Sequence, residues 1–308
     1  MTDTSLTLEQ LAAPAGQRRR ESIVRGLVFA AAIASVLISA LIVWSLLREA
    51  WVFMTEIDWS LTWGQIGWFP RRGIYDMPTL LVATLIVTVI AMIVAAPLGL
   101  GAAIYMSEYA RPGVRKVLKP TLEILAGIPS VVLGAFAIAF IAPNVVANIG
   151  GSDGGSLMAA GIGVGILTIP LVASISEDAM RSVPRELREA SEGLGARKIT
   201  TVTRVVLPAA VSGLVAAFIV AVSRAIGETM VVFLAGGAAD AAVFNADPYE
   251  GSLTMTAAMA SLASGTDQVV GAGLTFQSLF FVGLVLFLIT LVLNMIGNAF
   301  VARVREKY

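Results

Sequence analysis

The chain contains no cysteine and no histidine. Disulfide staples, thiol nucleophiles and imidazole metal ligands are therefore excluded. Charge is scarce: Asp, Glu, Lys and Arg make up 14% of the 308 residues, against roughly 25% in soluble domains. The 21 basic and 21 acidic residues cancel, so nothing points to a nucleic-acid partner. A G-x-x-x-x-G-K-[ST] phosphate loop is also missing, so ATP hydrolysis is not expected of this chain. The glycine-rich patch 150–155 lacks the lysine such a loop needs and reads as a connector. Asp58, Asp76, Glu108 and Glu123 form no convincing hydrolytic pair, and no metal ligand set is apparent.

What is present is apolar sequence, 57% of the residues, with a mean hydropathy of +0.85. Several runs exceed the roughly 20 residues needed to cross a hydrocarbon layer of about 30 Å. The expected fold class is an all-α polytopic membrane protein with six transmembrane helices, at about 25–47, 79–106, 122–142, 156–180, 208–235 and 273–302. No small-residue cleavage site ends the first run, so it reads as a retained span. Pro97, Pro129 and Pro170 fall within or near spans and favour kinks.

Basic residues set the orientation. Of the 21 Lys and Arg, only Arg48, Arg71 and Arg72 fall on one side of the six spans, and Arg224 lies inside the fifth. All the others fall on the opposite side, so both termini are expected in the cytoplasm. The outer segment 48–78 carries Trp51, Trp59, Trp63 and Trp68, suited to a headgroup layer. Residues 236–272 carry Asp240, Asp247, Glu250 and Asp267 without a basic residue, fitting either an external partner or a solvated connector. Residues 1–23 read as a flexible cytoplasmic tail, 24–305 as the membrane domain and 306–308 as a cytoplasmic end.

Two polar features interrupt this pattern. The first is the cytoplasmic loop 181–208, RSVPRELREASEGLGARKITTVTRVVLP. Residues 185–192 favour a helix, Gly193 and Gly195 permit a turn, and 196–206 suit a second helix, with Pro208 opening the fifth span. Small residues at Ala190, Ser191 and Gly195 admit close approach of another protein, with Arg188, Glu189 and Glu192 as a polar border. An amphipathic loop at headgroup level is the competing reading. The second feature is Arg224 with Glu228, four apart and so expected on one helical face inside the span. Charges at such depth usually face a wet passage or a partner, so a structural ion pair competes with a solute contact. Thr229, Ser130 and Ser223 either line a polar passage or bond within their own helices. Gly161 and Gly165 have the spacing of a tight helix contact.

The loop carries a more specific signal. Glu189-Ala190-Ser191, Gly195, Val205 and Leu207-Pro208 resemble the EAA motif of ABC importer permeases, with Ser191 in place of the second Ala and Val205 in place of Ile. Gly127-Ile128-Pro129-Ser130-Val131-Val132 and Arg224-Ala225-Ile226-Gly227-Glu228-Thr229 narrow the resemblance to phosphate-importer permeases. The long Trp-bearing first outer loop is closer to the PstC branch than to PstA.

The resemblance implies the type I ABC importer permease fold. Loop 181–208 would seat in a groove of a cytoplasmic ATPase through Glu189, Ala190, Ser191, Gly195, Leu207 and Pro208. It also implies a PstA-like second permease, two PstB-like ATPase subunits holding ATP and Mg²⁺, and an external PstS-like phosphate-binding protein. Phosphate would pass by Arg224, with Glu228, Thr229 and Ser130 along the same pathway. A permease for molybdate or sulfate and a carrier driven by an ion gradient are the alternatives. The second leaves the EAA-like loop unexplained.

Overall fold

The computed structural model describes residues 15–64, 66–237, 242–264 and 273–304. Most of the expected tail, the extreme C-terminal end, Asp240 and Asp267 lie outside them. Among the described residues, five helices are long and apolar enough to cross a membrane, or up to six spans if one bent helix pair counts as a single span. The chain is a multi-pass membrane protein.

Helix α1 runs Ala15–Glu56, so residues 15–23, expected in a flexible tail, are helical. Residues up to Glu49 form a unit of their own. Its apolar side chains, among them Leu27, Leu37, Leu41 and Trp44, are exposed, the surface of a helix suited to lipid. The second unit starts at Ala50. There Phe53 is fully buried, stacked on Phe281 at 4.8 Å and edge-on to Tyr75 at 5.0 Å. Before the second long helix, β1 (Trp68–Phe69) pairs antiparallel with β2 (Ile74–Tyr75) across a turn closed by Gly73 in the left-handed region.

Helix α2 (Met77–Tyr109) begins where the Asp76 carboxylate accepts from the Thr79 amide at 3.1 Å. Helix α5 (Leu157–Arg181) begins in the same way, with Ser156 accepting from Ala159. These two form the most extensive helix contact in the chain. The expected close approach at Gly161 and Gly165 is its seam. A Cβ on Gly161 would lie 2.7 Å from Ile90 Cβ, and one on Gly165 would lie 2.8 Å from Val94 Cβ. Without a hydrophobic drive between helices in lipid, such dispersion contact is what holds them together.

The expected third span divides at Gly127–Pro129. Helix α3 (Pro112–Ala126) is amphipathic and buries no residue, while the crossing is α4 (Ser130–Ile149). Thus 122–126 belong to the preceding amphipathic helix and not to the span. Proline removes a backbone donor and disfavours helix in the residue before it, which separates the two. Charge, not apolar contact, fastens α3: Arg115 pairs with the fully buried Glu177 of α5, and Lys119 reaches Glu177 at 3.5 Å and Asp178 at 3.2 Å.

After α5 come α6 (Arg185–Gly193) and α7 (Lys198–Ala209), then α8 (Val211–Ile226), bent 71° from α7. Pro208 therefore closes α7 and does not open the span. The fifth span is also broken. Helix α8 ends at Ile226, and α9 (Met230–Ala235) starts after a gap at Gly227–Thr229. Helices α10 (Met255–Ala263) and α11 (Thr275–Val304) complete the described chain.

The segment read as either an outer docking loop or a solvated connector is in part neither. Residues 252–258 are buried, the Met255 amide donates to Thr84 Oγ1 at 3.0 Å, and Thr256 Oγ1 donates to the Glu228 carbonyl at 2.7 Å. Hydrocarbon offers a broken backbone no hydrogen-bond partner, so the loop folds inward and supplies one.

Gly161→Leu and Gly165→Leu are each expected to destabilise the protein by about 1–3 kcal/mol, read as a lower Tm in detergent. Gly101→Ala, with open space at its Cβ, serves as the tolerated control. Glu177→Ala is expected to cost about 2 kcal/mol, less than in a fully buried pair because its cations remain partly solvated. Limited proteolysis at Lys116 should accelerate in that variant.

Candidate functional site

The inner loop is a defined hairpin. Helix α6 ends in a Schellman cap: the Ala196 amide donates to the Ser191 carbonyl and the Gly195 amide to the Glu192 carbonyl. Gly195 has φ +79, a left-handed conformation that glycine adopts without a Cβ penalty. Ser191 Oγ lies 2.9 Å from Thr201 Oγ1, so the residue in place of the motif's second Ala joins α6 to α7. Outward, Glu189, Ala190 and Ile199 are exposed, and Leu194 is 90% exposed at the tip. The tip thus presents an apolar side chain to solvent, flanked by small residues. Leu207 is half-buried, packed against the apolar cluster around Met180 and Val206, and Pro208 is exposed.

Arg188, expected on the border of that surface, faces inward. Its guanidinium donates to the Val183 and Met180 carbonyls at 2.7 and 2.8 Å and to Glu108 at 3.1 Å. One side chain thus ties the hairpin to the end of α5 and to the wide final turn of α2.

The second feature is a cleft of ≈ 330 Å³ between α3, α5 and the end of α8. Arg224 lines it, in the last turn of α8, where a cation complements the helix dipole. Lys119, Glu123 and Ser174 supply its other polar groups, and Leu122, Leu167 and Pro170 part of its apolar wall. Arg224 is exposed, and among the described residues it has no ion-pair or hydrogen-bond partner. A wider cleft of ≈ 680 Å³ on the other side of α3 shares Lys119 and Glu123 and adds Arg115, Lys116 and Arg181. Burial disfavours the Lys119 ammonium, but its hydrogen bond to Asp178 and the charges of Glu177 and Asp178 outweigh that and raise its pKa, keeping it cationic.

Glu228 stands apart from Arg224. Gly227 ends α8 before Glu228 is reached, so the expected shared helical face does not form. No ion pair joins the two among the described residues. Glu228 is 8% exposed and its carboxylate accepts weakly, at 3.5 Å, from the Val231 amide, in the first turn of α9. Thr229 is half-buried, donating to the Gly227 carbonyl at 3.3 Å, and Ser130 opens α4 after the Pro129 break. Neither lines the Arg224 cleft. Sequence reasoning weighed Glu123 only for hydrolysis and missed Lys119 and Glu177 as site residues. Their only trace there was opposite charge on two segments 60 residues apart.

Comparison with known proteins places this geometry. Residues 95–306 match the family described as "Binding-protein-dependent transport system inner membrane component". The chain is 34% identical over 256 residues to "Phosphate transport system permease protein PstC 1" of Mycobacterium tuberculosis, covering 76% of this chain and 75% of that protein. It is 29% identical over 295 residues to "Phosphate transport system permease protein PstC" of Pasteurella multocida, covering 90% of each. "Probable ABC transporter permease protein YqgH" of Bacillus subtilis is 34% identical over 204 residues, covering 66% of this chain and 63% of that protein.

Among solved structures, a bacterial ABC transporter involved in alginate import superposes with a TM-score of 0.63 at 14% identity, covering 94% of this chain and all of that chain. An inward-facing MetNI methionine ABC transporter gives 0.55 at 21% identity, covering 74% and 94%. The fold is that of ABC importer permeases, and the chain belongs to the family of binding-protein-dependent transport system inner membrane components.

Proposed function

We propose that this chain is the phosphate-translocating permease subunit of an ATP-driven importer and forms one half of its membrane pathway. The observation that carries the reading is Arg224, an arginine with no ion-pair or side-chain hydrogen-bond partner among the described residues, lining a cleft at the end of α8. Phosphate near neutral pH carries between one and two negative charges. Arginine stays protonated and offers a planar fork of donors to such an oxyanion. The names of the phosphate-transport relatives support the choice of solute.

In this reading the exposed hairpin of α6 and α7, with Glu189, Ala190, Ser191 and Gly195, seats against a cytoplasmic ATPase. ATP and Mg²⁺ bind there and not in this chain. A second, PstA-like permease closes the open side of the cleft, and a PstS-like protein delivers phosphate from outside. The termini and loop 181–208 then face the cytoplasm, as the basic residues demand. Glu228 holds the start of α9, Thr229 shapes the break, and Ser130 lines the passage beside the second permease.

Arg224→Gln removes a charge-assisted contact worth about 1.5–3 kcal/mol. Phosphate uptake by reconstituted complexes is expected to fall at least about tenfold with the complex still assembled. Parental uptake would end the proposal for Arg224. Gly195→Val forces a β-branched residue into the left-handed region at a cost of about 1–3 kcal/mol. The expected result is a weaker ATPase complex on gel filtration and slower phosphate-stimulated ATP hydrolysis, with the Tm of the isolated permease lowered only slightly.

A further inference from the structure

An arginine facing an apolar-walled cleft needs a counter-charge whenever no solute is bound. Spacing assigned that part to Glu228, but Glu228 sits at the start of α9 and does not pair with Arg224. Three other charged or polar groups line the same cleft: Lys119, Glu123 and Ser174. Lys119 is a cation, already held by Glu177 and Asp178. Ser174 carries no charge. Glu123 is therefore the only carboxylate lining the cleft among the described residues.

Glu123 has the properties the part requires. It is exposed, and its carboxylate has no ion-pair or hydrogen-bond partner among the described residues. It lies four residues after Lys119 on α3, so the two share a helical face, and both also line the wider inner cleft. The helix that carries it buries no residue, and its ion pairs among the described residues come from Arg115 and Lys119.

We propose that Glu123 is the exchangeable counter-ion of Arg224, a carboxylate that competes with the entering oxyanion for the same guanidinium. This inference rests on the phosphate-transport reading above. In the assembled importer, with the cleft empty, Glu123 balances Arg224. An arriving phosphate displaces it, and its return helps expel the phosphate toward the wider cleft lined by Arg115, Lys116, Lys119 and Arg181. A passage must admit its solute without trapping it. A competing carboxylate keeps the well shallow, and its negative charge disfavours simultaneous occupancy.

The test is phosphate uptake at varied phosphate concentration, in the complete importer reconstituted in liposomes, with Glu123→Gln, Glu123→Asp and Arg224→Gln. Glu123→Gln is expected to lower KM for phosphate and kcat together, each about tenfold, the effect of one modest charge interaction. Glu123→Asp, which keeps the charge, should stay near the parental values. Parental KM and kcat in Glu123→Gln, with Arg224→Gln inactive, overturn the counter-ion role and leave the transport reading standing. Full activity of Arg224→Gln instead removes the transport contact on which both rest.

Should Glu123→Gln not assemble, a second measurement needs no uptake. The chain has no cysteine, so Ser174→Cys places a single thiol in the cleft. Its labelling by an anionic methanethiosulfonate reagent should be protected by phosphate, and protection should need about tenfold less phosphate when Glu123→Gln is added. Identical protection curves in the two backgrounds also overturn the proposal.

Discussion

A helix that stops inside a hydrocarbon layer exposes carbonyls and amides that water cannot reach, and the arrangement of this molecule follows from that constraint. Helix α8 stops at Ile226, and α9 resumes at Met230. The gap is tolerated because the chain supplies its own partners there. Thr256 donates to the Glu228 carbonyl, and the Ser156 amide donates to the Ala235 carbonyl at the far end of α9. Both come from segments outside α8 and α9 that fold against them. Each unsatisfied group would cost several kcal/mol in lipid, so the inward fold of residues 252–258 belongs to the span as much as α8 does.

The break also sorts the two charges. A continuous helix would place Arg224 and Glu228 one turn apart on one face, close enough to neutralise each other. Gly227 ends that helix, so Arg224 keeps the C-terminal turn of α8, where the dipole favours a cation, and Glu228 goes to the start of α9, where it favours an anion. Each charge is stabilised by a different helix end. The cost of taking a guanidinium into an apolar-walled cleft is thereby offset without a fixed ion pair, which leaves its donors open to a ligand.

Much of this was legible from residue order. Three of the six spans, the second, fourth and sixth, came within a few residues of their ends, because uninterrupted apolar runs have no competing reading. The Gly161–Gly165 seam was visible because only small residues permit such contact. The α6–turn–α7 hairpin followed from Gly193 and Gly195. The failures share a cause. At 122–126 and 227–229 hydropathy stayed high while Pro129 and Gly227 divided the backbone, and hydropathy alone cannot register a lost helical hydrogen bond. Glu177 was invisible because its meaning lies in Arg115 and Lys119, some 60 residues earlier. The direction of Arg188 was misjudged for the same reason: Glu108 lies 80 residues away.

These long-range pairs also supply mechanical continuity. Under the transport reading, force applied to the exposed hairpin has to reach a cleft in which, among the described residues, Arg224 is the only lining residue that follows the hairpin in sequence. Arg188 grips the carbonyls of Met180 and Val183 at the end of α5 and the carboxylate of Glu108 at the end of α2. One turn earlier on α5, Glu177 holds Arg115 and Lys119 of α3. Helix α3 then carries Lys119 and Glu123 to the cleft wall opposite Arg224. Every link in this chain is a charged side chain at the inner edge of the bundle, where partial solvation keeps such contacts strong enough to transmit and weak enough to rearrange. Apolar packing would transmit displacement too, but it has no ready alternative partner. A cluster in which Glu177 can choose among Arg115, Lys119 and Arg181 allows α3 to shift against α5 without leaving the buried carboxylate bare.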